Sequence, residues 1–377
     1  MAKTNIFAAT VEHFLGPVMP FLEDQTVSEI MINAPDEIYV EKSGRLVRTE
    51  AKFEDADALM AAVNNVLQYT GKRLTAEHPL IDSRLPDGSR VHVVLYPLSR
   101  RGTIMTIRKF AKVMFNAAHL VELGSWTDQA REYLEICVQA EKNVLVAGGT
   151  SSGKTCLLNV LSGFIPGHQR IVVIEDSAEL ELQQDHVVSL ECRPADRWGR
   201  GEVGITELFR SSLRLRPDRI IIGECRGGEA LDIVQAMTSG HAGSMSTLHA
   251  NMALGALNRL ETLAMMAKLE LPLHALRAQI ASAIDVVIQA TRFTDGRRGL
   301  TEIAEVLPLS DDGHYKLQDM FTYQLSDDEA GRGGKGSLEW SGKKSIYRNE
   351  PKMRILRDQW DLTKAIFQAD SSTQSQA

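Results

Sequence analysis

A chain of 377 residues exceeds the ~50–200 residues that a single core usually serves, so two folded units with connecting pieces are expected. Hydrophobic residues make up 44% and charged residues 24%, and 49 acidic against 42 basic side chains leave a formal net charge of -7. That balance is ordinary for a soluble globular protein and argues against a nucleic-acid coat. No apolar run approaches the ~20 residues that span a bilayer, and the start MAKTNIFAATVEHF lacks the basic flank and unbroken apolar stretch of an export signal. A cytoplasmic protein is expected. Cys137, Cys156, Cys192 and Cys225 lie far apart with no Cys-x-x-Cys pair, so they read as reduced thiols rather than a zinc ribbon or redox motif.

The chain opens with helical spacing at Phe14, Val18 and Phe21. The segment TVSEIMINAPDEIYVEKSGRLVRTE then reads as short strands broken at Ala34-Pro35 and Ser43-Gly44. Leu59, Met60, Val63, Val66 and Leu67 form one face of a helix starting near Asp55, with Gly71 placed to end it. Pro86-Asp87-Gly88 is a turn before the strands RVHVVLYPL and TIMTIRKF. These elements predict a smaller α+β domain over residues 1–110. A linker at 111–126 containing Gly124-Ser125 follows, suited to joining bodies that move.

From Thr127 the pattern alternates helices with continuous apolar strands, which is the signature of a parallel sheet covered on both faces. Strands are expected at 143–147, 170–174, 219–223, 244–248 and 285–289, with helices at 206–215, 228–238 and 252–267. This α/β domain is assigned to 127–322. Beyond it, 323–377 reads as an exposed Gly-rich hairpin or loop around SDDEAGRGGKGSLEWSGKKS, a last helix at 353–367 and a disordered tail at 370–377.

The segment NVLVAGGTSSGKTCLLNVL places a buried strand, a Gly-rich turn and an apolar helix in the order a phosphate loop requires. Gly148, Gly149 and Gly153 let backbone amides converge on phosphate oxygens, with Thr150, Ser151, Ser152 and Cys156 completing the cradle. Lys154 is expected on the β- and γ-phosphates and the Thr155 hydroxyl on Mg²⁺, which makes ATP and Mg²⁺ the implied ligands. Kinases, GTPases, helicases and secretion motors all use such a loop.

Three later segments narrow the class. IVVIEDSAELEL ends an apolar strand with Glu175, Asp176 and Glu179, where α/β sheets place their ligand site; a solvated helix start is the plainer reading. RIIIGECRGGEA ends the next strand with Glu224, suited to ordering the hydration shell of Mg²⁺ or the attacking water, with Arg226 beside it. SGHAGSMSTLHAN carries His241 and His249 around a strand. Their separation argues against zinc, and they read as hydrogen-bonding groups directed at the γ-phosphate.

The phosphate loop, IEDSAEL, LRLRPDRIIIGECRGGEA and TSGHAGSMSTLHAN occur in the order seen in the type II and type IV secretion ATPase superfamily. TVSEIMINAPDEIYVEKSGRL and HPLIDSRLPDGSRV resemble its tight-adherence (Flp) pilus branch, whose ATPases are called CpaF or TadA. The resemblance covers most of residues 26–322. It implies a RecA-like P-loop ATPase domain preceded by the smaller α+β domain, working as a homo-hexameric ring. Such a ring would act on an inner-membrane platform protein, and through it on pilin, at the cytoplasmic face of the membrane. Carried over residue by residue, Lys154 and Thr155 match the phosphate-loop ligands, Glu179 the acidic-box glutamate, Glu224 the Walker B glutamate, and His241 and His249 the histidine box. Which of Glu179 and Glu224 is the base stays open. Arg90, Arg101 and Arg108 are the candidates for arginines of the first domain that reach the γ-phosphate, and Arg226 is a further candidate phosphate-sensing arginine.

The four-cysteine zinc module of larger pilus-extension motors is absent from the sequence, as is the long amino-terminal extension common in the tight-adherence branch. Conjugation or secretion traffic is the alternative within the superfamily, and a RecA-like nucleic-acid module is the alternative outside it. The acidic balance makes nucleic acid an unexpected partner.

Overall fold

The computed structural model describes residues 10–75, 78–109, 115–195, 199–267, 271–325 and 336–368. The chain divides into two compact units, residues 1–114 and 115–377.

In the first unit, a short helix α1 (Met19–Glu23) precedes six antiparallel strands in the order β3-β2-β1-β6-β5-β4. They are β1 (Val27–Ala34), β2 (Glu37–Lys42), β3 (Arg45–Arg48), β4 (Leu80–Arg84), β5 (Arg90–Val94) and β6 (Ile104–Arg108). Ser43 and Gly44 both take positive φ, 49° and 78°, which makes the tight β2–β3 turn expected at that pair. Between β3 and β4 runs α2 (Ala56–Tyr69), whose N-cap Asp55 accepts from Ala58 N at 2.8 Å. Its face of Leu59, Ala62, Val63, Val66 and Leu67 packs on Ile30, Ile32, Val91, Val93, Met105 and Ile107. Ala62 replaces the expected Met60, which is only half-buried at the rim of that face.

In the second unit, nine strands form one mixed sheet in the order β15-β14-β13-β12-β7-β11-β10-β8-β9. Its parallel half consists of β7 (Val144–Gly148), β8 (Ile171–Glu175), β9 (Val187–Glu191), β10 (Arg219–Ile222), β11 (Met245–Leu248) and β12 (Val286–Arg292). Side chains alternate along each strand. Val144, Val146, Ile171 and Val173 therefore enter one core, while Leu145, Ala147, Val172 and Ile174 enter the other. Burial on both faces is why β7, β8 and β10 read as largely apolar runs.

Helices α4 (Asp128–Gln139) and α5 (Lys154–Ser162) cover the first face. The helices α7 (Glu229–Thr238), α8 (Ala253–Ala264) and α9 (Leu273–Ala283) cover the second, joined by α6 (Ile205–Ser212). Three strands, β13 (Arg298–Leu307), β14 (Lys316–Leu325) and β15 (Gly336–Trp340), extend the sheet antiparallel past β12.

Two sequence expectations change. The stretch read as a linker is folded from Phe115 onward: α3 (Ala117–Glu122) is followed by Trp126, which is buried and donates Nε1–H to Ala117 O at 3.1 Å. Residues 111–114 of that stretch lie outside the described residues. The helix expected over 353–367 breaks into α10 (Pro351–Leu356), a 3-10 turn (Arg357–Gln359) and α11 (Lys364–Phe367). The central part of the Gly-rich segment and the tail at 370–377 also lie outside the described residues.

The C-terminal segment belongs to the core rather than trailing from it. Glu305, fully buried on β13, accepts from Tyr133 Oη at 2.8 Å, from Ser345 Oγ and from Ile346 N at 2.8 Å. Glu132 accepts from Thr363 N and Oγ1 at 2.9 and 2.7 Å, and the Phe367 ring stacks on Tyr133. Lys142 pairs with Glu350 at 2.7 Å above the Tyr347 ring.

Replacing Glu305 by Ala strands the buried Tyr133 and Ser345 hydroxyls and the part-buried Ile346 N–H at once, a buried donor left unpaired costing about 1–3 kcal/mol. Urea unfolding of Glu305→Ala should show a loss of roughly 3 kcal/mol. An unchanged midpoint would show that the buried carboxylate does not hold the C-terminal segment.

Candidate functional site

The site is assembled at the C-terminal ends of β7, β8, β10 and β11, the edge where open α/β sheets receive ligands. After β7 the chain must turn sharply into α5, and glycine makes this possible at two positions. A side chain on Gly148 would meet Ser152 Oγ at 2.3 Å and Ala290 O at 2.5 Å. Gly153 caps α5 with φ 94°, in the left-handed region. Ser151 also has positive φ, 58°, and the Ser152 hydroxyl closes the turn on Gly149 O at 2.9 Å. Thr150 stands exposed at the tip. The loop is thus a close-packed cradle opening onto a helix N-terminus, a shape and polarity suited to phosphate.

Lys154 is 8% exposed, and its ammonium must find acceptors. Nζ donates to Gly148 O at 3.1 Å and Gly149 O at 3.0 Å, and lies 3.4 Å from His249 Nδ1. On its other side, the His249 ring places Nε2 2.9 Å from Glu224 Oε1. Glu224 also accepts from Arg226 at 2.6 Å, and Arg226 reaches Asp176 at 3.4 Å. Lys154, His249, Glu224, Arg226 and Asp176 therefore form one chain of polar contacts that links the ends of four strands, β7, β11, β10 and β8.

His249 follows β11, and its turn is held by Gln289, which donates to Ala250 O at 3.2 Å. Thr155 Oγ1 donates to Glu179 at 3.2 Å. Glu175 is committed to the backbone: its carboxylate accepts from Glu179 N at 2.9 Å and Leu180 N at 3.1 Å, shaping the loop that presents Glu179. The bare Cα of Gly223 leaves it room, since a side chain there would approach Glu175 Cγ to 3.0 Å. Among the described residues no group of three or more His, Cys, Asp or Glu could hold a metal by itself. Burial raises the thiol of Cys156 to about 11, opposed by the nearby charge of Arg298.

His241 does not join this site. It precedes β11 at the N-terminal end, and the strand itself puts about 13 Å between the two ends. Of the small residues around His241, Gly243 has a different cause, namely the buried guanidinium of Arg219. A side chain on Gly243 would collide with Arg219 Nη1, whose group bonds Gln169 Oε1 at 2.7 Å and Val138 O at 2.9 Å.

Arg226, read as a phosphate-sensing arginine, clamps two carboxylates here. Arg90, Arg101 and Arg108 lie in the first unit: Arg101 bonds Glu37 at 2.7 Å, and Arg84, Arg90 and Arg108 form one row across β4, β5 and β6. Arg84 was not singled out by the sequence, because its place in that row depends on strand register. Arg298 was missed as well. It donates to Ser151 O at 2.9 Å from the start of β13, and no motif connects the two segments.

Burial pushes the Glu224 carboxyl upward, but the bond and charge of Arg226, with the charges of His249 and Lys154, outweigh it and hold the group below 4.5. A carboxyl lowered in the folded state contributes stability above its unfolded value, and that contribution is lost as pH falls through the folded value. Glu224→Gln should therefore flatten the acid limb of melting temperature against pH below 4.5. An acid limb as steep as that of the wild type would show that the carboxylate is not stabilised by these cations.

Residues 12–318 match the family described as type II/IV secretion system protein. A putative conjugal transfer protein of Mycobacterium tuberculosis is 34% identical over 295 residues, covering 77% of this chain and 83% of that protein. The type IV secretion system protein PtlH of Bordetella pertussis is 37% identical over 314 residues, covering 75% and 91%. VirB11 of Bartonella quintana is 32% identical, covering 80% and 94%. Among solved structures, the Legionella pneumophila ATPase DotB is similar with a TM-score of 0.55 at 19% identity, covering 80% of this chain and 82% of that one. The pilus retraction motor PilT, solved with bound ADP, is similar with a TM-score of 0.54 at 18% identity, covering 80% and 84%. These two likenesses bear on the fold alone, and they agree with an amino-terminal domain followed by an α/β domain of RecA-like fold. From the family match over most of its length and from relatives above 30% identity, the chain belongs to the type II/IV secretion system protein family.

Proposed function

We propose that the chain is the ATP-hydrolysing motor subunit of a pilus or secretion machine. The observation that carries this reading is the buried Lys154 at the phosphate cradle, joined through His249 to the carboxylate of Glu224. Phosphate oxygens entering the cradle would take over the role that the Gly148 and Gly149 carbonyls play for Lys154, and the α5 N-terminus adds a favourable field. Mg²⁺ would arrive with the nucleotide, the Thr155 hydroxyl being the group of this chain that would hold it and Glu224 the carboxylate that would act on its hydration shell. It would supply charge neutralisation at the β- and γ-phosphates.

Glu224 and Glu179 are the two carboxylates placed to orient the attacking water. The bond from Arg226 lowers the basicity of the Glu224 carboxylate, so loosening that pair would make it a better acceptor for a proton of water. The arginines Arg90, Arg101 and Arg108 are proposed to supplement the γ-phosphate charge, and a homo-hexameric ring is proposed to bring subunits into register. Binding and release of nucleotide would then work a membrane platform protein at the cytoplasmic face of the inner membrane, and through it pilin.

The tight-adherence pilus is favoured by TVSEIMINAPDEIYVEKSGRL and HPLIDSRLPDGSRV. A second reading, secretion or conjugation traffic, is favoured by the descriptions of PtlH, VirB11 and the M. tuberculosis relative. Co-purification of the full chain with either a pilus platform protein or a mating-channel component separates the two.

Lys154→Ala should abolish nucleotide binding. Glu179→Gln and Glu224→Gln should bind ATP with affinity close to that of the wild type and lose hydrolysis by about a hundredfold or more at whichever residue is the base. Phosphate release at wild-type rate from Lys154→Ala would overturn the assignment of the loop.

A further inference from the structure

Arg298 opens β13, and none of the roles proposed above uses it. Its backbone is fixed from the segment before α4: the Arg298 carbonyl accepts from Ser125 Oγ at 2.9 Å, and Leu300 N donates to the Ser125 carbonyl at 2.8 Å. Gly299 between them permits this approach, since a side chain there would lie 3.1 Å from the Phe293 ring and 3.2 Å from Ser125 O. From that anchored position the side chain crosses to the phosphate loop. Nε donates to Ser151 O at 2.9 Å, and Cδ lies 3.5 Å from where a side chain on Gly153 would begin.

The guanidinium therefore runs beside the second half of the loop, and its charge is felt at Cys156 in the first turn of α5. Ser151 is a non-glycine residue held at φ 58°, a conformation that persists only where its surroundings impose it. Arg298 is one such constraint. In a phosphate loop the backbone amides cradle the α- and β-phosphates while the lysine reaches outward to the γ-phosphate.

We propose that Arg298 is a positioning residue of the nucleotide site, which fixes the Ser151 turn and sets a positive charge beside the α- and β-phosphates. This rests on the phosphate-binding reading of the loop. It carries a consequence that γ-phosphate contacts do not: Arg298 acts on ADP and ATP alike. A planar guanidinium can bond the loop through Nε and direct its remaining edge at phosphate, a division that an ammonium only partly reproduces.

The test is titration of the full-length chain with ADP and with a non-hydrolysable ATP analogue, for the wild type, Lys154→Ala, Arg298→Ala, Arg298→Lys and Arg298→Gln. Arg298→Ala should weaken both ligands by about tenfold and by a similar factor. Arg298→Lys should recover part of the loss, and Arg298→Gln, which keeps a donor but no charge, should recover less. Unchanged affinity in Arg298→Ala, a loss confined to the ATP analogue, or Arg298→Gln binding as well as the wild type would each overturn the proposal. If Arg298→Ala does not fold, the comparison of Lys with Gln carries the same decision. Wild-type binding that Lys154→Ala abolishes and Arg298→Ala leaves intact sinks this proposal alone. A wild type that binds neither nucleotide sinks the phosphate-site reading and this one with it.

Discussion

A lysine ammonium buried at the end of a parallel strand has to be matched by acceptors, and much of the second unit is arranged around that demand. Lys154 meets two carbonyls of its own loop and the ring of His249. His249 in turn meets Glu224, and Glu224 meets Arg226, so the contacts of one cation continue through groups that follow β11 and β10. Backbone strain falls on Ser151, a non-glycine residue in the left-handed region, while Gly153 takes that region freely and Gly148 leaves the space a side chain would fill. A ligand that offers Lys154 better acceptors than backbone carbonyls competes with the first contact of the chain, and the effect passes along it.

The parts of this design that were legible in the sequence are those with local causes. Strands β7, β8 and β10 are buried on both faces and read as largely apolar runs. The phosphate loop, Asp55 as a helix cap and the Ser43-Gly44 turn follow from the φ values and hydrogen bonds that only a few residue types supply.

What escaped depends on contacts between distant segments. β13 carries Glu302 and Glu305, whose carboxylates serve Ala253 N and the C-terminal segment, and these charges mask its strand pattern. The last fifty residues look peripheral because their anchors, Thr363, Tyr347 and Ser345, are polar or isolated. Their partners Glu132, Lys142 and Glu305 lie far away in the chain. Gly243 beside His241 is a third instance: it makes room for Arg219 at the far end of the sheet rather than for a phosphate. Arg298 could not be found by motif, since it meets the loop only because β12 and β13 fold back on each other.

The central claim is that Lys154, His249 and Glu224 form one responsive chain rather than three independent contacts. A structure of the full-length protein with a non-hydrolysable ATP analogue tests it most directly. The account predicts that Lys154 Nζ moves from the Gly148 and Gly149 carbonyls to phosphate oxygens and that the 2.9 Å contact between His249 and Glu224 changes with it. A nucleotide seated in the loop with the His249–Glu224 contact and both Lys154 carbonyl bonds unaltered would contradict it.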